Sequence, residues 1–147
     1  MVTGEFKMYA MSMAGDRAEL LLKSEFDDDK NAYPSPRLQP STQRGYVALA
    51  LGRKNLHADV ILVNIPTGET QVVVERAFFA RISWPWVYAI REREFKSNLV
   101  RYNILSRRLQ VLNFQTVREI AVSDNSMMTT FQDRVEIRDL DTGRLLR

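Results

Sequence analysis

Apolar and polar positions alternate along most of the chain, in pairs of short runs separated by turn residues. The clearest pair is residues 134–147, RVEIRDLDTGRLLR, where the runs RVEIRDL and RLLR flank Asp-Thr-Gly. A period of two sends successive side chains to opposite faces of a strand, so this stretch predicts a β-hairpin. Three earlier stretches carry the same pattern: MYAMSMAGDRAELLL (8–22), VILVNIPTGETQVVV (60–74) and LVRYNILSRRLQVL (99–112). No segment sustains the i, i+3, i+4, i+7 spacing of an amphipathic helix, and VREIAV (117–122) is too short for one and reads as a strand.

Taken in order, the pattern predicts a hairpin over residues 6–23, turning at Ala14-Gly15-Asp16. A polar stretch follows, residues 24–45, with Pro34, Pro36 and Pro40, which is a long connection or an irregular edge strand; residues 33–38 could form a short strand within it. YVALAL (46–51) is dense enough in apolar residues to be buried on both faces. Residues 52–58 form a turn, and 59–65 and 69–75 are the arms of a hairpin around Pro66-Thr67-Gly68. AFFARI (77–82), a turn at Ser83-Trp84-Pro85, WVYAIR (86–91), a charged tip (92–98), and strands over 99–104 and 108–113 make the next unit. The last unit has strands over 116–122 and 127–131 with a turn at Ser123-Asp124-Asn125, and ends in the closing hairpin.

These units repeat. The turn-opening positions Asn64, Asn103 and Asp139 are 39 and 36 residues apart, and each is followed four residues later by Gly68, Arg107 or Gly143. A period near 40 with about four short strands per period is the mark of a β-propeller blade. One four-stranded sheet cannot bury both faces alone, so neighbouring sheets stack to make the core. The expected architecture is all-β: a propeller-like array of about three and a half four-stranded antiparallel blades. It is a single domain, with the hairpin at 6–23 and blades over about 33–75, 77–113 and 116–147.

Residues 123–143, SDNSMMTTFQDRVEIRDLDTG, resemble a WD-repeat blade, with Asp133 at the turn Asp and Asp139 at the dipeptide Asp. Arg138 stands where Trp is usual, Tyr102-Asn103 and Val63-Asn64 occupy the dipeptide earlier, and the usual Gly-His is missing. The first half, MYAMSMAGDRAELLL and YPSPRLQP, is more similar to blades of TolB-type propellers. The resemblance implies a non-catalytic scaffold role. Closed propellers hold about 4–8 blades, so three and a half leaves three arrangements: a piece of a longer propeller, copies completing a ring, or an open arc with covered edges. Association through the open ends, as a homodimer or with another subunit, is the expectation.

Composition narrows the chemistry. The chain has 147 residues, enough for one core, and its 45% hydrophobic and 27% charged content suits a globular protein. No apolar run approaches the ~20 residues of a membrane span, and the opening MVTGEFKMYAMSM does not look like a signal peptide; no membrane partner is expected. Zero cysteines exclude disulfides, thiolate metal sites and cysteine nucleophiles, and fit a reducing, cytoplasmic location. His57 stands alone, and Asp27-Asp28-Asp29 lacks the rest of a calcium loop. Asp139 and Asp141 are explained by turn chemistry. No serine elbow, P-loop or Rossmann glycine pattern occurs, so neither catalysis, metal nor cofactor is expected.

The net charge is +3, and between residues 76 and 118 nine basic residues meet only Glu92 and Glu94. Arginines on solvated strand faces explain this; an acidic or nucleic-acid partner is the functional reading. Trp84-Pro85-Trp86 is the most unusual apolar feature. Alternation that sends one of Trp86 and Tyr88 inward makes one ring core. Any exposed ring joins Arg81, Trp84, Arg91 and Arg93 into the expected partner surface, with Arg107 and Arg108 as a second patch. The leading function is a protein-interaction scaffold binding another protein or a second copy. The rivals are a nucleic-acid-binding β protein that stacks bases on Trp and Tyr, and the propeller portion of a larger enzyme.

Overall fold

The computed structural model describes residues 2–11, 18–28, 40–52, 58–93, 96–113, 119–123, 126–140 and 142–147. The expected turn at 14–16, the strand at 33–38, His57 and Asp29 lie outside them, as do Asp124 and Asn125. Thirteen strands and no helix occur among the described residues. Sheet 1 pairs β1 (Val2–Met11) with β2 (Ala18–Asp28). Sheet 2 has the order β3 (Ser41–Gln43), β4 (Tyr46–Gly52), β5 (Ala58–Asn64), β6 (Glu69–Val74). Sheet 3 runs β7 (Ala77–Ser83), β8 (Trp86–Arg93), β9 (Lys96–Asn103), β10 (Arg108–Asn113), and sheet 4 runs β11 (Glu119–Val122), β12 (Ser126–Thr130), β13 (Val135–Asp139). Every pairing is antiparallel and every neighbour is sequential.

Alternation explains why the sheets stack. In β8, Val87 and Ala89 enter a cluster with Ala48, Val60, Leu62 and Val74 of sheet 2, whereas Tyr88 and Ile90 enter one with Ile120, Met127, Phe131 and Leu140. In β4, Ala48 enters the first cluster, while Val47, Leu49 and Leu51 form a third on the opposite face of sheet 2, where Met8 of sheet 1 packs. Sheet 3 is therefore covered on both faces, and the dense apolar runs of β4 and β8 are the sequence trace of that burial.

The repeated turn is the same structure three times. Gly68 N–H donates to Asn64 O, Arg107 N–H to Asn103 O and Gly143 N–H to Asp139 O, at 2.8, 2.8 and 2.9 Å. The closing residue is left-handed each time, with φ of 68°, 57° and 70°. Glycine takes that region freely, while Arg107 does so at a cost of about 1–2 kcal/mol. The opening side chain completes the turn: Asn103 Oδ1 accepts from the N–H groups of Leu105 and Ser106, and Asp139 Oδ1 from the N–H and hydroxyl of Thr142. Sheets 2 and 3 each have an equivalent further bond within their own turns, Ile65 N–H to Gly45 O in sheet 2 and Ile104 N–H to Pro85 O in sheet 3.

Four expectations need correction. β2 runs through Asp28 and β1 from Val2, so the first hairpin is longer than 6–23; the paired backbone continues past its apolar stretch. The polar stretch does hold an edge strand, but at β3, a position the sequence reading did not give, closed onto β4 by a two-residue turn with φ of 50° at Arg44 and 77° at Gly45. Its short polar run hid it, but the polarity is used: Ser41 Oγ accepts from Ile82 N–H at 2.9 Å and Gln43 Oε1 from Trp84 N–H at 2.8 Å. These bonds occupy N–H groups on the free edge of β7, tying sheet 2 to sheet 3. The charged tip is shorter than 92–98, because β8 and β9 pair from Trp86↔Asn103 out to Arg93↔Lys96. The return arm RLLR bonds back to β13 through Asp139 N–H to Arg144 O, Leu146 N–H to Ile137 O and Ile137 N–H to Arg147 O, but it forms only the bridge Arg138↔Leu145 rather than a full strand, and Leu145 and Leu146 are exposed.

Candidate functional site

Each sheet has two ends. In sheets 2 and 3 one end carries the turns at Arg44-Gly45, Trp84-Pro85 and Leu105-Ser106. At the turn end, between sheets 2 and 3, the Trp84 ring lies 5.6 Å from that of Tyr46 and is tilted by 37°, with the Arg44 guanidinium 5.3 Å over it. Tyr46 then lines a cleft with Leu62, Asn64, Glu69, Gln71, Ile104 and Arg107. Arg107 closes its rim toward Glu69 at 3.9 Å, and Gln71 donates to the Tyr102 hydroxyl at 3.5 Å. The cleft measures about 40 Å³, room for one or two waters and far below the ~300 Å³ or more of a small-molecule site. What this seam offers is a surface: Arg44, half-buried Trp84, exposed Leu105 and Arg107 on adjoining turns.

The expected partner residues do not form one patch. Trp84 and Arg107 stand at the seam just described. Trp86 is half-buried on the opposite face of sheet 3, with the Arg101 guanidinium 4.0 Å over its ring. Trp86 and Tyr88 share that face because they are two residues apart in a strand, so the expectation that only one of them turns inward is corrected. Arg81 lies over Phe79 at 5.5 Å, also on that face. Arg108 is exposed and opens β10. Arg91 is five residues beyond Trp86, about 17 Å along the strand, at the end away from the turns, and its Nε is buried without a partner. Arg93 ends β8, and its side chain lies outside the described residues. Strand length and facial alternation separate residues that sequence proximity groups together.

Two features escaped the sequence reading. Arg44 is one; its turn was hidden in the polar connection. The other is Glu136, buried in β13 between Arg134 and Arg138, which share its face at i±2. Glu136 accepts from Arg134 Nε at 2.7 Å and from Arg138 Nη2 at 2.7 Å. The bond from Arg134 holds its carboxyl below the usual range, with burial opposing and Arg138 assisting. Glu136 likewise raises the Arg134 guanidinium above its ordinary value. The triad runs along one strand; Arg134 also lies 4.3 Å over Phe131, and Arg138 donates to Gly143 O. Among the described residues no three His, Asp or Glu side chains gather as a metal set.

No protein-family model matches the chain, and no curated protein matches it. Solved structures do resemble it. The β-propeller domain of the Trilobed protease from Pyrococcus furiosus, which has an open velcro topology, superposes with a TM-score of 0.63 at 16% identity, over 74% of this chain and 40% of that one. TolB from Acinetobacter baumannii gives 0.62 at 12% identity, over 93% of this chain and 36% of that one. The putative TolB from Agrobacterium tumefaciens gives 0.63 at 14%, over 93% and 54%. The chain thus spans about a third to a half of these proteins, and at such identities the likeness concerns the fold. It is to TolB and peptidase propellers, and does not single out WD repeats. The chain is an all-β array of antiparallel sheets with the fold of β-propeller blades.

Proposed function

We propose that the chain is a non-catalytic protein-interaction scaffold that uses the turn-end surface around Trp84 to bind an acidic protein partner. The observation that supports it is the seam between sheets 2 and 3, where Arg44, Trp84, Leu105 and Arg107 project from turns held by hydrogen bonds to their own backbone. Stacked sheets hold such turns still, so little order is lost on binding. Aromatic and arginine side chains dominate binding hot spots. Nucleic acid suits the site less well, because an arginine already covers each tryptophan ring and base stacking would displace it. A photo-crosslinking residue at Leu105, the turn's most exposed apolar position at 68%, tests the reading. An acidic protein captured from that position, and lost in the Arg44→Glu, Arg107→Glu variant, supports it. Capture indifferent to those reversals, or none, contradicts it.

A second reading rests on the peptidase likenesses, which include acylaminoacyl peptidase from Pyrococcus horikoshii at TM-score 0.61 and 14% identity, over 74% of this chain and 24% of that one. In this reading the chain is the propeller portion of a larger enzyme. An antibody against the chain would then detect a cellular protein well above 17.0 kDa.

A further inference from the structure

We infer that two copies of the chain close into one ring, the outward face of sheet 4 in each docking on the outward face of sheet 1 in the other. The inference deepens the scaffold reading but concerns different residues from the Trp84 surface. It starts from the pattern inside the molecule, where facing sheets cover each other's apolar residues. Sheet 4 sends Ile120, Met127 and Phe131 toward sheet 3. Alternation sends their neighbours the other way, and register aligns them across the strands: Ala121 opposite Met128, and Met128 opposite Ile137. Leu146, bonded through its N–H to Ile137 O, extends this row, and Val135 adds to it from β13. Met128, Val135 and Leu146 are all exposed, Val135 at 55%.

The other end of the array matches it. Met8 packs on the Val47, Leu49, Leu51, Val63 cluster, whereas Tyr9, just past a shift in the β1–β2 register, is exposed. Met11 follows two residues later, and Leu20 lies opposite Tyr9 in the register. All three are exposed, Met11 at 69%. Within one copy both rows of side chains are exposed.

A second copy is the occupant that continues the existing interfaces. The two ends of a stack are unlike, so contact between copies is head-to-tail, and such contacts close into a ring when the rotation allows and otherwise form filaments. The four sheets among the described residues of each copy make eight in a pair, within the roughly 4–8 blades that closed propellers hold. Two copies fill such a ring.

The chain has no cysteine, so single cysteines report the contact without interference. Under oxidising conditions a Met11→Cys copy mixed with a Met128→Cys copy is expected to give a disulfide-linked pair, while neither links to itself. Sedimentation should give twice 17.0 kDa, unchanged in about 1 M salt, where the screening length is about 3 Å. Val135→Asp should weaken association at least ~30-fold, the loss expected of a hot-spot residue. Should that variant fail to fold, the cysteine pair decides alone. A monomer at all concentrations overturns the inference and points to further blades or another protein as the cover. Self-linked Met128→Cys copies overturn it in favour of like-to-like docking, and an open-ended series of larger species overturns closure. The Arg44→Glu, Arg107→Glu crosslinking result is read on different residues, so either proposal can fail without the other.

Discussion

Truncating Leu62 tests whether the interface between sheets 2 and 3 carries the stability of the fold. Leu62 is 1% exposed within the cluster that joins β4, β5 and β6 to β7, β8 and β9. Leu→Ala in a packed core costs about 2.7–5.0 kcal/mol, the larger values where the surroundings cannot collapse. Here the sheets cannot close freely, because Ser41 and Gln43 bond to Ile82 and Trp84 across the seam. The new space does adjoin the cleft lined by Asn64, Glu69 and Gln71, where polar groups let water enter. These opposed effects place the expected cost at about 3 kcal/mol, toward the lower part of that range. For a chain of this length that lowers the Tm by about 6–12 °C. Urea unfolding of Leu62→Ala, compared with Leu105→Ala at the exposed turn, is the assay. The control should lose less than about 0.5 kcal/mol. A Leu62→Ala loss under about 1 kcal/mol, or one equal to the control, would refute the reasoning.

Other consequences concern turns and charge. Arg107→Gly should stabilise the chain by about 0.5 kcal/mol, because it relieves a left-handed arginine and gives up only an exposed ion pair; an unchanged or lower urea midpoint contradicts this. Gly143→Ala should cost about 1 kcal/mol from backbone conformation alone, since a Cβ there meets nothing within 4 Å; a neutral urea midpoint would count against the turn geometry. Asp139→Ala removes two bonds to Thr142 and should cost about 1 kcal/mol, read the same way. Glu136 has its folded pKa lowered, so its contribution is present above the unfolded value, about 4.3, and is lost as pH falls through the folded value. Glu136→Gln should therefore be less stable than the parent at pH 7 and lose less on acidification; parallel pH profiles would contradict the triad.

The parts of the fold that were legible in the sequence are those where burial dictates the pattern. YVALAL read as a strand covered on both faces, and β4 is one; WVYAIR read only as a strand, and β8 is buried on both faces as well. The spacing of Asn64, Asn103 and Asp139 marked a turn whose i+4 residue is left-handed, and all three turns form alike. β3 was hidden because its side chains serve hydrogen bonds to a neighbouring edge rather than a core, and hydrophobic periodicity carries no trace of that. The Trp84–Arg93 grouping was misleading for a related reason. Neighbours in a strand face opposite ways and residues five apart stand at different ends, so the surface depends on which sheets flank the strand. Arg44 joined Trp84 only through the packing of sheet 2 on sheet 3.

The account stands on a middle sheet enclosed between two others, and amide hydrogen exchange measures that enclosure strand by strand. Residues Val87 to Ile90 of β8, buried on both faces, should exchange through global unfolding alone, while β10, partly exposed and at the sheet edge, exchanges orders of magnitude faster. Equal protection in β8 and β10, or faster exchange in β8, would contradict the stacked-blade architecture.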